Sequence, residues 1–286
     1  MLSRLLNRLI FRRPPPVVGV IRLTGVIGQA GLLRGGLNLE LIAPAVDKAF
    51  NLPGLKAVAL LINSPGGSPT QSALIQDRIR ALAAEKNIPV MAFVEDVAAS
   101  GGYWLACTAD EIFVNENSIL GSIGVISSGF GFSEAIKKLG IERRIHTSGN
   151  KKSLLDPFIP EEIEDVERLK QLQSEIHNNF KNLVRQRRGQ RLRLDDSELF
   201  NGDFWLGENA IKIGLADGIG EIRAILRERY GKKVIIRQIG RRPGWIRRRV
   251  GFTEISEYSS MKSGENIVEN ILVAIESRAW WNKFGM

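Results

Sequence analysis

The sequence predicts an α/β domain with a largely parallel β-sheet, and three observations indicate this class. Apolar runs rich in β-branched residues alternate with segments in which apolar residues recur at helical spacing. The run LKAVALLI at 55–62 is almost entirely apolar, as expected of a strand buried on both faces. The chain has 286 residues, of which 44% are hydrophobic and 25% charged, so it has an ordinary globular composition and is long enough for one large domain.

Each predicted element follows from a local signal. Strands are predicted where apolar, β-branched runs occur, at 17–27, 55–62, 89–94, 111–114, 122–127 and 141–147. Helices are predicted at 39–50, after Ser68, at 101–109, at 132–140 and at 160–188. Ser68 is a candidate N-cap, because Pro69 follows it and Gln71 completes a capping box. The helix at 160–188 has acidic residues in its first turn and arginines in its last, which suits the helix dipole.

The positive charge lies mainly near the two ends of the chain. The net charge is +9, yet residues 1–13 and 231–250 together carry 12 Lys and Arg and no acid, so the remainder has a net charge of −3. We therefore expect a basic N-terminal tail at 1–16, a folded domain at 17–231 and a basic extension at 232–286. An amphipathic helix is predicted within that extension, at 266–281.

This charge distribution favours an anionic membrane surface or a partner as the contact of the basic tails. A tail that is merely solvated is the equal alternative. The folded body is not basic, so we expect no dedicated nucleic-acid face.

The composition excludes several classes of protein. A single cysteine, Cys107, excludes a disulfide scaffold, and together with two histidines it cannot complete the usual four-ligand zinc site. We expect no metal and no cofactor. No uncharged apolar run reaches the length of about 18 residues that a membrane span needs. Arginines interrupt the N-terminal apolar run, and no cleavage site of small residues follows it. We therefore expect a cytoplasmic chain, or one held peripherally at a membrane.

Two glycine-rich turns carry the strongest chemical signal. NSPGGS at 63–68 and VAASGGYWLA at 97–106 each follow a predicted strand and open a helix. Helix N-termini present unpaired N–H groups, and glycine lets a substrate carbonyl approach them. Ser100 directly precedes Gly101, so it has the position of a nucleophile beside N–H groups that would bind an oxyanion. The simpler interpretation is a pair of tight turns in which Ser100 is an N-cap.

A serine nucleophile needs a general base, and the residues alone leave several candidates open. His146 ends the predicted strand at 141–147, whereas His177 lies in mid-helix among polar residues, where we expect a surface position. Lys151 and Lys152 follow the same strand in a loop. A desolvated lysine acts as a base, but a solvated lysine pair is the simpler interpretation.

Five segments together resemble the signal peptide peptidase A family of serine peptidases, peptidase family S49, in its short single-copy form. They are INSPGGS, VAASGGYWLACTADEI, LGSIGV, the stretch from Gly149 to Asp156-Pro157-Phe158, and NGDFWLGENAIKIGLADGIG. The likeness covers roughly residues 17–230, in order and with compatible spacing. It implies a crotonase-like (Clp protease/crotonase) fold with ββα units over 17–231 and a Ser–Lys catalytic dyad.

The resemblance also implies a role for five residues. Ser100 would be the nucleophile and Lys152 the general base, while the backbone N–H groups of Gly67 and Gly101 would form the oxyanion hole and Ser122 would orient the lysine. It further implies a ring-shaped homo-oligomer in which the lysine can come from the neighbouring chain, so the dyad lies either within one chain or between two. The implied substrates are signal peptides, membrane-protein fragments or other unfolded chains.

Two other classes remain as alternatives to a serine endopeptidase. A catalytically silent crotonase-like scaffold that binds peptides or membrane proteins would keep both turns, but it would not need both Ser100 and Lys152. An acyl-CoA enzyme of the same broad fold also binds an oxyanion with two N–H groups, yet it uses acidic catalytic residues and needs no serine at position 100.

Overall fold

The computed structural model describes residues 14–28, 36–149, 151–240, 279 and 281–285. The basic segment at 1–13 lies outside the described residues. So does the predicted helix at 266–281, apart from two of its positions. Among the described residues, no helix combines the length and the apolar composition needed to cross a membrane.

The described residues form an eight-stranded, mostly parallel β-sheet. Its strands are β1 (Val17–Thr24), β2 (Leu55–Ser64), β3 (Val90–Ala99), β4 (Glu111–Val114), β5 (Ile119–Gly121), β6 (Phe204–Leu206), β7 (Gly218–Ile219) and β8 (Ile235–Ile239). The order is β6-β5-β3-β2-β1-β8, with β4 beside β3 and β7 beside β4. The pairing of β5 with β6 is antiparallel and the other pairings are parallel.

Helices follow the strands in the alternation that the sequence predicts. They are α1 (Leu39–Phe50), α2 (Pro69–Lys86), α3 (Gly101–Ala106), α4 (Ser133–Lys138), α5 (Ile163–Arg188), α6 (Asp196–Leu199), α7 (Gly207–Lys212) and α8 (Ile222–Tyr230). The N-cap prediction for α2 is confirmed, because the Ser68 side chain accepts the N–H of Gln71. This mixed α/β architecture with a mostly parallel sheet confirms the predicted fold class.

The central strands are buried on both faces. Along β2, the alternating residues Val58, Leu60 and Ile62 join a large core that includes side chains of α1, α2, α3 and α5. The opposite face, with Ala57 and Ala59, packs in a second cluster that includes α8. Because β2 and β3 lie in the middle of this sandwich, their carboxyl ends hold the turns that follow them in fixed positions.

Two predicted strands are wrong. Residues 141–147 are exposed along their whole length and form no strand, because no neighbouring strand pairs with them in the described structure. The strand predicted at 122–127 lies earlier, as β5. It ends at Gly121 because this glycine and Ser122 both have positive φ angles, of 116° and 51°.

Other boundaries differ less. The long helix α5 begins at Ile163 instead of Pro160, with Glu162 in the N-cap position. Strand β3 extends to Ala99, five residues beyond its predicted end, so Ser100 directly follows a strand. Strand β8 pairs with β1, so the first part of the expected C-terminal extension lies in the sheet.

Candidate active site

Ser100 stands at the junction between β3 and α3, in a strained backbone conformation. Its φ is 51° and its ψ is −122°, values that non-glycine residues rarely adopt. Its N–H donates to the carbonyl of Gly121 (2.8 Å), and its own carbonyl accepts the N–H of Trp104 (3.0 Å). Its side chain makes no capping hydrogen bond. The interpretation of Ser100 as an ordinary N-cap is therefore wrong, and its hydroxyl is not committed to the helix.

The turn after β2 packs directly against this serine. A Cβ atom on Gly66 would stand 2.7 Å from the Cβ of Ser100. Gly67 has a φ of 135° and forms a parallel bridge with Ile27, whose carbonyl oxygen occupies the space of any side chain there. The buried Ser64 fixes the start of the turn, because its hydroxyl donates to Gly25 (2.7 Å) and accepts the N–H of Gly66 (3.2 Å).

The two predicted oxyanion donors lie side by side. A Cβ on Gly101 would stand 3.4 Å from the backbone nitrogen of Gly67, so the turns that follow β2 and β3 meet at these residues. In the part of the chain that the structure describes, neither of the two N–H groups donates to a protein acceptor. Two free N–H groups next to a serine are donors of the kind that bind a developing oxyanion.

Ser122 lies close to this site through the strand register. Ala99 on β3 pairs with Gly121 on β5, and Ser100 and Ser122 are the next residues on the two parallel strands. Ser122 is buried, has a φ of 51° and donates its N–H to the carbonyl of Asp203 (2.6 Å). The structure therefore brings together four of the five predicted site residues.

The two adjacent lysines have different surroundings. Lys151 donates to Glu164 (2.8 Å), and this hydrogen bond together with the negative charge of Glu164 raises the pKa of the Lys151 ammonium. Lys152 is exposed and, within the described residues, its ammonium has no hydrogen-bond or ion-pair partner. It forms no hydrogen bond with Ser100 of the same chain, so the single chain does not assemble the predicted dyad.

The two histidines also differ. His146 is exposed in the extended segment at 141–147. His177 is half-buried, and its Nε2 lies 3.1 Å from the carbonyl oxygen of Ile123, so the predicted surface position for His177 is wrong. Burial and the nearby Lys181 lower the pKa of the His177 imidazole.

Sequence reasoning missed two polar residues that shape the site. Asn63 donates to Asp96 (2.6 Å) and accepts the N–H of Val97 (3.3 Å), which ties the end of β2 to the end of β3. Asp203 supplies the carbonyl that holds Ser122, within a turn closed by Asn201. The residues Asn-Gly-Asp at 201–203 are a recognisable turn signal in the sequence, but nothing local indicates that this turn lies beside β5.

Within the described residues, Ser100 combines a hydroxyl without a hydrogen-bond partner, a strained strand-to-helix turn and two neighbouring free backbone N–H groups. This combination is typical of serine-type acyl-transfer enzymes. The family model "Peptidase family S49" matches residues 83–234, which is more than half of the chain. The chain belongs to peptidase family S49, a family of serine-type peptidases, as the resemblance of its motifs predicts.

Three curated relatives illustrate the similarity. A protein named Na(+)/H(+) antiporter NhaA from Brucella abortus (strain 2308) is 45% identical over 291 residues, covering 100% of this chain and 39% of the relative. Protease 4 from Haemophilus influenzae is 31% identical over 226 residues, covering 77% of this chain and 35% of that protein. Serine protease SPPA, chloroplastic, from Arabidopsis thaliana is 34% identical over 175 residues, covering 59% and 25%. The chain therefore spans less than half the length of these relatives.

Proposed function

We propose that this protein is a serine endopeptidase in which Ser100 and Lys152 form a catalytic dyad. The observation that carries the proposal is the strained Ser100, whose hydroxyl is uncommitted and lies beside the free N–H groups of Gly67 and Gly101. Membership of peptidase family S49 supports peptide-bond hydrolysis as the reaction. The silent scaffold would not need this strain, which costs free energy in the folded state.

The proposed reaction passes through an acyl-enzyme. Uncharged Lys152 accepts the proton of Ser100 as the serine oxygen attacks the peptide carbonyl, and the N–H groups of Gly67 and Gly101 bind the resulting oxyanion. The carbon–nitrogen bond then breaks, and Lys152 returns the proton to the leaving amine. In the second half, Lys152 takes a proton from water as the water oxygen attacks the ester carbonyl, and the two N–H groups again bind the oxyanion. The carbon–oxygen bond to Ser100 then breaks, the peptide acid leaves, and Lys152 returns the proton to the Ser100 oxygen.

Lys152 is a better candidate for the base than its neighbour. The pair with Glu164 favours the charged form of Lys151, and a charged amine has no lone pair to accept a proton. Lys152 has no such partner among the described residues. Burial in an interface would favour an uncharged amine at this position.

A second copy of the chain is the proposed source of that burial. The segment 125–162, which carries Lys152, lies mostly exposed between β5 and α5. It presents several large apolar side chains to solvent: Ile126, Phe130, Phe132, Leu139, Ile141 and Ile145. Exposed apolar surface of this kind is typical of an interaction site. We propose that this segment packs on a neighbouring copy in a ring, where Lys152 reaches the Ser100 of that copy.

The proposed substrates are signal peptides, membrane-protein fragments and other unfolded chains. Membership of peptidase family S49 supports a polypeptide as the substrate. The proposed ring would admit short or unfolded chains to an enclosed site and would exclude folded domains.

The test compares purified wild type with Ser100→Ala and Lys152→Ala in assays with casein and a fluorogenic peptide. Lys151→Ala is the matched control, since it removes the adjacent ammonium but leaves Lys152. We expect both dyad variants to remain folded and to lose cleavage, whereas Lys151→Ala keeps it. The wild-type rate should rise towards alkaline pH, because only an uncharged amine accepts the serine proton.

Cleavage that persists in Ser100→Ala would remove the peptidase proposal. A folded wild type that binds unfolded peptides without cleaving them would favour the silent scaffold instead. If Lys151→Ala loses activity and Lys152→Ala keeps it, the general base is Lys151 and the proposed role of Lys152 is wrong.

A further inference from the structure

His177 connects helix α5 to the loop that holds the nucleophile. Its Nε2 lies 3.1 Å from the carbonyl oxygen of the buried Ile123. Two residues before Ile123, the carbonyl of Gly121 accepts the N–H of Ser100 (2.8 Å). The imidazole is therefore connected to the Ser100 backbone by two hydrogen bonds and by the short stretch of chain from Gly121 to Ile123.

A second loop lies near the same imidazole. The Phe200 backbone in that loop acts to raise the pKa of the His177 imidazole, although burial has the larger effect and lowers it. Phe200 directly precedes the turn whose Asp203 carbonyl accepts the N–H of Ser122. The two loops are thus hydrogen-bonded to each other, and the His177 ring is bonded to the first of them through Ile123.

The sheet alone gives this region little support. Strands β5 and β6 have three residues each, and β6 pairs only with β5. Yet two non-glycine residues, Ser100 and Ser122, keep positive φ angles here. Such conformations persist only where the surroundings determine them strongly. Helix α5 is a firm support, because Phe180 and Val184, one and two turns after His177, are buried in the main core.

We propose that His177 is a positioning residue, which fixes the Gly121–Ile123 segment so that Gly121 holds the strained Ser100 backbone and Ser122 keeps its place beside the nucleophile. The inference rests on the proposed function of Ser100. His177 itself touches neither substrate nor the reacting atoms; it acts through the backbone of the Gly121–Ile123 segment, which is bonded in turn to the loop of Asp203.

The experiment compares His177→Leu, which removes the ring donor, with His177→Gln, whose side-chain amide can still donate at a similar reach. Asn178→Ala, at the adjacent exposed position, is the control. We expect His177→Leu to lower kcat by up to about 10²-fold with little change in KM, because misplaced catalytic groups slow chemistry more than binding. His177→Gln should recover much of the loss, and Asn178→Ala should behave as wild type.

Hydrogen exchange gives a readout that is independent of cleavage. Amides of residues 119–124 and 200–204 should exchange faster in His177→Leu than in wild type or Asn178→Ala, while the amides of β2 remain protected. A His177→Leu protein with wild-type kcat, or with unchanged exchange in these two segments, overturns the inference. Equal losses in the Leu and Gln variants, in parallel with a lower Tm, indicate a general packing role and overturn it as well.

Ser100→Ala in the same assay separates the two proposals. Cleavage that persists there overturns the proposed function and this inference with it. Ser100-dependent cleavage that His177→Leu leaves intact overturns this inference alone.

Discussion

At the scale of single residues, the site depends on how closely three stretches of backbone approach one another. Gly101 has an ordinary φ, so alanine would be acceptable there in isolation. The difficulty is space: a Cβ would stand 2.7 Å from the Ser72 hydroxyl and 3.1 Å from Cδ1 of Ile27. The donor N–H of Gly101 is therefore held in place by contacts that leave no room for a methyl group.

This crowding predicts the behaviour of Gly101→Ala. The new methyl group should push the α3 N-terminus away from Gly67, so one oxyanion donor moves out of position. Loss of one such donor typically lowers kcat by about 10²–10³-fold. The measurement is kcat for a fluorogenic peptide, with circular dichroism to confirm folding.

Ser72 supplies the matched test of this explanation. Among the described residues its hydroxyl donates to the Ser68 carbonyl alone (2.9 Å), so Ser72→Ala should stay near wild-type activity. The double variant Gly101→Ala/Ser72→Ala removes the closest atom and should recover part of the lost rate as a coupling between neighbours. If the double variant is as slow as Gly101→Ala, the hydroxyl is not the obstacle.

At the scale of elements, two arginines fasten α5 to the rest of the fold. Arg187 donates to the carbonyls of Cys107 (2.9 Å) and Ala109 (2.8 Å), just beyond α3. Arg188 is buried and forms a two-point pair with Asp217 (2.8 and 3.0 Å). Burial also raises the pKa of the Cys107 thiol to about 11, which keeps it protonated and unreactive near neutral pH. This end of the molecule is therefore a structural support for the helix that carries His177.

The Arg188–Asp217 pair predicts a loss of stability in acid. Burial alone would raise the pKa of Asp217, but the hydrogen bonds and charge of Arg188 outweigh burial and lower it below the usual 3.8. The stabilisation is thus complete above pH 3.8 and is lost as the pH falls through the lower folded value. Asp217→Asn should lower the free energy of unfolding by about 3–5 kcal/mol near pH 7, since Arg188 keeps its charge without a partner.

Urea unfolding from neutral to acid pH checks this prediction. The difference in unfolding free energy between wild type and Asp217→Asn should be constant near neutrality and shrink in acid. Asp77→Asn, an exposed carboxylate on α2, is the control and should follow wild type. A difference that is small at neutral pH would mean that the pair contributes little to the fold.

The elements that sequence predicts well are those with a strong local signal. The continuous apolar run of β2 indicates a strand buried on both faces, and the capping residues of α2 mark where that helix begins. Together these two signals also locate the turn between the two elements. The exposed segment at 141–147 has the alternation of a strand but no partner, and pairing is a property of the whole fold that local pattern does not contain. The wrong prediction of a surface position for His177 has the same cause, because its contact with Ile123 joins residues that are 54 positions apart in the sequence.

At the scale of the whole molecule, the sequence predicts the chemistry of the site but not its assembly. The glycine turns place Ser100, Gly67 and Gly101 because each follows a buried parallel strand, and such strands end at one edge of a sheet. Lys152 is exposed, on a segment whose described residues contribute no strand to the sheet. Nothing in local pattern determines whether the proposed dyad forms within one chain or between two copies, because that depends on how the chain assembles.

Mixing inactive subunits tests whether the dyad spans two copies. Ser100→Ala keeps the lysine and Lys152→Ala keeps the serine, so a mixed ring contains interfaces where an intact serine faces an intact lysine. We expect fluorogenic-peptide cleavage to return when the two inactive proteins exchange subunits, up to about a quarter of the wild-type rate for random mixing, as one interface in four has both groups. Subunit exchange is measured separately with labelled chains. The control mixes Ser100→Ala with the Ser100→Ala/Lys152→Ala double variant. This mixture contains no intact serine and should stay inactive.

The contrary outcome is a first mixture that stays inactive despite proven subunit exchange. In that case the lysine acts within its own chain, and the exposed segment that carries Lys152 must fold back onto the Ser100 of the same chain.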